Sequence, residues 1–112
     1  MEAEENKKKW ALQCINLNIY TSFTLGVCER VVKNRMDGNT DRKVLDMLVV
    51  AITVRDHWRA QALMLEDVLP ELDGDLRELV GTGLAGYHQV DDVLLETKEL
   101  VADKLPNGAT VH

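Results

Sequence analysis

At 112 residues, 46% of them apolar, the chain is long enough for one domain with its own core and short for two, although a domain this small leaves much of its surface in water. A formal net charge of −6 repels phosphate backbones, so direct nucleic-acid binding is not expected. The longest strongly apolar run, Met47 to Val54, falls far short of the roughly 20 residues that span a bilayer, so no membrane association through a spanning helix is expected either.

Two turn signals divide the chain. They are Asp37-Gly38-Asn39-Thr40 and the stretch from Pro70 to Asp75, which contains Asp73-Gly74. Between them the apolar spacing predicts three helical segments, at about 4–35, 40–69 and 75–105, within a single domain covering 1–112. Pro106-Asn107-Gly108 ends the last segment and leaves a short tail, 106–112.

The first segment opens with Glu2, Glu4, Glu5 and Lys7-Lys8-Lys9, a solvated first turn without the pattern of a signal peptide. On a helical wheel, Trp10, Cys14, Leu17, Leu25, Cys28, Val31 and Val32 form one stripe, and Leu12, Ile15, Ile19, Phe23 and Val27 fall on nearly the opposite side. A helix with two apolar faces has to be covered twice, either at the centre of a bundle or between its own bundle and a partner chain. Cys14 and Cys28 lie about 21 Å apart along such a helix, at 1.5 Å per residue, and cannot bridge each other. Unbridged thiols point to a reducing, cytoplasmic compartment, and their place on an apolar stripe makes them small hydrophobes rather than nucleophiles.

Thr40 or Asn39 is positioned to N-cap the second segment. Its main stripe runs through Val44, Met47, Leu48, Ala51, Val54, Trp58, Ala62, Leu65 and Leu69, with Leu45, Val49, Ile52 and Leu63 beside it. Arg55 falls near the centre of that stripe, and Arg59 and Glu66 fall at its edge. A guanidinium in an apolar stripe needs an acid from a neighbouring helix, a route to water, or an anionic group on a ligand or partner. Arg55, Trp58 and Arg59 are therefore the candidate ligand- or partner-binding residues, Trp and Arg being the types that dominate interfaces.

In the third segment, Asp75 and Glu78 resemble a capping box, and Leu76, Leu79, Val80, Tyr87, Val90, Leu94, Val101 and Leu105 share one stripe. Gly81-Thr82-Gly83-Leu84-Ala85-Gly86 matches the dinucleotide fingerprint GxGxxG in letters alone. That fingerprint works between a strand and a helix, and no strand is predicted on either side. The glycines are expected instead to kink the helix, to break it into a third and fourth helix, or to let another helix come close. His88, Asp91, Asp92 and Glu96 follow one another at helical spacing and form a candidate metal-binding face. The absence of any Glu-x-x-His pair, and the position of these acids away from the apolar stripe, favour a solvated face with local ion pairs.

Together these features predict an all-α antiparallel helical bundle, up-down-up, assembled as a homodimer. The charge is skewed, with four acids and six bases in Met1–Met36 but nine acids and three bases in Pro70–His112, which suits attraction to a basic protein partner. No cofactor and no catalytic residue is expected. The predicted function is a non-enzymatic protein-interaction module of the adaptor, regulatory-subunit, inhibitor or chaperone kind. The alternative is a small-ligand or metal-binding bundle using Arg55 and Trp58 or the His88–Glu96 face.

Overall fold

A computed structural model describes residues 2–105 of the chain, with side chains from Glu5 onward. It is an all-α bundle of four helices: α1 (Glu2–Met36), α2 (Arg42–Thr53), α3 (Arg55–Val68) and α4 (Gly74–Leu100), with 3-10 turns at Leu69–Glu71 and Ala102–Lys104. No strand occurs among the described residues, and the predicted tail, 106–112, lies outside them. No helix among them is long and apolar enough to cross a membrane.

The up-down-up path is present. Cys14 of α1 lies against Gly83 of α4, and Val31 of α1 shares a core cluster with Val101 beyond the end of α4, so the two long helices run the same way. α2 and α3 return between them: Tyr20 reaches Ala51, while Gln13, nearer the start of α1, reaches Gln61.

The fourth helix does not arise where the glycines suggested. α4 runs unbroken through Gly81–Gly86, and the predicted second segment divides instead at Val54, whose φ of −94° and ψ of 3° leave the helical region. The Thr53 hydroxyl donates to the Val49 carbonyl at 2.7 Å, a bond back along the helix that favours bending, within the β-branched run Ile52-Thr53-Val54. Val54 still donates to Val50 at 3.1 Å and Trp58 to Val54 at 3.2 Å, so the backbone bonds bridge the break. A helical glycine costs only about 1 kcal/mol against alanine, which packing along α4 overcomes.

The caps also differ from expectation. Asp41, rather than Asn39 or Thr40, caps α2, its carboxylate accepting from the Lys43 N–H at 3.0 Å. α4 starts after Asp73, and Asp75 stands inside the first turn rather than at the cap, where its charge still complements the helix dipole. Gly38 and Gly74, with φ of +74° and +57°, make the two turns possible in a left-handed conformation that other residues rarely adopt.

The core has two parts. One gathers Val27, Cys28, Val31, Val44, Leu48, Ile52 and Leu94 around α2, and the other gathers Cys14, Leu17, Tyr20, Leu65, Val80, Leu84 and Tyr87 around α3. Near the break at Val54, the Tyr20 hydroxyl donates to the Ala51 carbonyl at 3.1 Å. Gly83 sets the approach of α4 to α1, since a Cβ built there would stand 2.9 Å from Cys14 Sγ and 3.0 Å from Asn18 Oδ1. Gly81 and Gly86 face open space, so only the middle glycine of the three serves close packing.

Candidate functional site

The side of α1 that packs on the bundle carries Cys14, Leu17, Tyr20, Thr24, Val27, Cys28 and Val31. Val27 thus belongs with the buried side and not with the opposite face, while Leu25 and Val32 lie outside the core. The opposite face is real for the other four residues: Leu12 is 59% exposed, Ile15 48%, Ile19 63% and Phe23 40%. Spaced by three or four along the helix, they form a continuous apolar ridge on the outside of the molecule.

α2 and α3 widen this ridge into a surface. One concavity is lined by Asn16, Ile19, Tyr20 and Phe23 of α1 with Val50, Val54 and Trp58, and a second by Leu12, Gln13 and Asn16 with His57, Trp58 and Gln61. They share Asn16 and Trp58. The indole is half-buried and stacks on Tyr20, with ring centroids 5.5 Å apart and planes 17° from parallel, while His57 meets its edge. Trp58 therefore presents one flank to the core and the other to the groove.

Arg55, predicted beside Trp58, turns the other way. Its Nε and Nη2 donate to the two Asp91 oxygens at 2.7 and 2.8 Å, a bidentate pair whose side chains are 21% and 14% exposed. This carboxylate, together with proximity to other acids, holds the guanidinium firmly in its charged form. A residue read as a possible anion site and a residue read as a possible metal ligand are thus each other's partners. Arg59 is exposed and makes no ion pair among the described residues.

The remaining members of the candidate metal face are also dispersed. His88 contacts Glu66 of α3, while Asp92 and Glu96 are exposed. Among the described residues no three His, Cys, Asp or Glu side chains gather as a metal would require. Burial pushes both thiols up from their ordinary range, and Cys14 Sγ lies 3.7 Å from the Leu79 carbonyl, its distance for a weak bond. The Tyr87 hydroxyl is buried and has no partner among the described residues, and its pKa is pushed well upward by burial first and by the Asp91 carboxylate second.

No protein-family model, curated protein or solved structure matches the chain. The geometry of this surface is consequently the whole basis for a functional reading. Of its residues, periodicity alone identified Leu12, Ile15, Ile19 and Phe23 as an uncovered face, and Trp58 was singled out by type. Asn16, Gln13 and Val50 had no such signal, because their place in the groove depends on how α2 and α3 lie against α1.

Proposed function

We propose that this chain is a non-enzymatic protein-interaction module working through the outward face of α1 and the adjoining groove beside Trp58. One observation carries the reading: Leu12, Ile15, Ile19 and Phe23 stay exposed after the bundle has closed, on the side of α1 opposite its packed side. Scattered apolar side chains are ordinary on a protein surface, whereas a contiguous apolar patch of this kind is often functional. Trp58 at its border adds an aromatic anchor of the kind that concentrates binding energy. The unbridged, buried thiols fit a reducing compartment as the place of action.

The test compares the wild-type chain with Ile19→Glu, a change on an exposed helical position that leaves the core untouched. The wild type is expected to self-associate or to hold another protein in an extract of its source cells. The variant, with unchanged helical circular dichroism, is expected to lose that association. A wild-type chain that stays monomeric at high concentration and holds nothing that the variant fails to hold would overturn the reading.

A further inference from the structure

The geometry points to a second copy of this chain as the occupant of that face, with α1 lying antiparallel on α1 across a two-fold axis beside Ile19. The statement rests on the interaction reading above and makes it specific.

The ridge is matched about its centre. Counting outward from Ile19 along the exposed face, Ile15 and Phe23 stand equally far on either side, and Leu12 and Gly26 come next. In an isologous pair each position meets its mirror position, so Ile19 meets Ile19, Ile15 meets Phe23, and Leu12 meets Gly26. Large side chains therefore face a large one at the axis and a vacant position farther out, which lets the helices approach closely.

Gly26 is the telling member. A glycine in the interior of a helix weakens it, and among the described residues a Cβ built at Gly26 would have nothing within 4 Å, as also at Gly81 and Gly86, but Gly26 alone of the three lies on the exposed face of α1. In this register the leucine of an opposing copy takes the space that a side chain at Gly26 would fill. Glu5 meets Lys33 in the same register, an attractive pair at the rim. Lys8 and Arg30 also meet, and both are long enough to turn their charges into water. A parallel pair would set Lys8, Arg30 and Lys33 each against itself.

The area is adequate for this occupant. The exposed parts of Leu12, Ile15, Ile19 and Phe23 with Val50 of α2, itself 52% exposed, amount to at most roughly 500 Å2 per copy, and their full coverage in a pair reaches about 1,000 Å2, the lower limit for a specific interface.

The experiment is sedimentation equilibrium joined to cysteine cross-linking on the full chain, where Cys14 and Cys28 are buried and stay silent. A dimer mass is expected. Ile19→Cys is expected to oxidise readily to a linked dimer, Leu12→Cys alone to remain unlinked, and Leu12→Cys mixed with Gly26→Cys to link. Gly26→Leu is expected to weaken the dimer about tenfold or more with unchanged helical content, as a side chain filling a packed interface does. Self-linking of Leu12→Cys as fast as Ile19→Cys would overturn the antiparallel arrangement, and a dimer in which none of the thiols links would place the interface elsewhere. A monomer that still holds another protein through Ile19 would sink this inference and leave the interaction module standing. A monomer that holds nothing would sink both.

Discussion

Among single residues, the three glycines of α4 show how little a motif's letters say about its role. The GxGxxG letters are fully matched, yet they lie in the middle of an unbroken helix, with no strand to aim backbone amides at a phosphate. Their environments differ: Gly83 is pressed against Cys14 and Asn18, and Gly81 and Gly86 face open space. Alanine is worth about 1 kcal/mol over glycine in a helix, so Gly81→Ala and Gly86→Ala are expected to stabilise the protein by about that amount. At Gly83 the new methyl overpacks a core contact at a cost of about 1–3 kcal/mol, which exceeds the helix gain over most of that range. Urea denaturation of the three variants checks the sign. Pairing Gly83→Ala with Cys14→Ala, which removes the colliding sulfur, is expected to return part of the loss.

Between elements, the Arg55–Asp91 pair fastens the first residue of α3 to α4, next to the break at Val54. Asp91→Ala leaves a half-buried guanidinium without its two charge-assisted bonds and is expected to cost about 2 kcal/mol in urea or thermal unfolding. Replacing both partners, as Arg55→Met with Asp91→Leu, is expected to recover most of that loss, because a part-buried pair contributes little beyond what apolar contact would. A double variant as unstable as Asp91→Ala would mean that the pair determines the angle between α3 and α4. That Arg55 had to find a partner or a route to water was legible in the sequence, with an acid of a neighbouring helix as one of three readings. The identity of the acid was not, because the two residues are 36 positions apart and meet through the tertiary offset of α3 along α4.

The element boundaries divide in the same way. Asp37–Thr40 and Pro70–Asp75 announce their turns by residue type, and the structure turns there. Val54 carries no glycine or proline to announce the break. It follows from the Thr53 hydroxyl bond and from α2 and α3 packing on two different parts of the core.

For the whole molecule, the two core tyrosines link stability to alkaline pH. Burial raises the pKa of Tyr20 and Tyr87 above the ordinary value of 10.0. Above about pH 10 the unfolded chain loses these phenolic protons while the folded chain keeps them, so unfolding releases protons and stability falls as pH rises. The stability that these phenols contribute is fully present below pH 10. Chemical denaturation between pH 8 and pH 11.5 is expected to show a decline that begins near pH 9, where the buried thiols Cys14 and Cys28 enter the same balance, steepens from pH 10 and lessens in Tyr87→Phe. The same substitution removes a buried hydroxyl without a partner, so its cost near neutrality is expected to be small.

The helical class, the up-down-up order, most of the inward stripe of each helix and the second apolar face of α1 were determined by the amino-acid sequence itself, although Leu25, Val32, Met47 and Leu79, read onto those stripes, are exposed. All of them follow from turn residues and from a period of 3.6, which are properties of a segment by itself. Tertiary structure decided that Val27 turns inward, that Arg55 takes Asp91, that Gly83 alone among its neighbours makes a close contact, and that Trp58 borders a groove. Each of these depends on how far one helix is rotated and shifted along another. The periodicity of a single helix contains no record of that displacement.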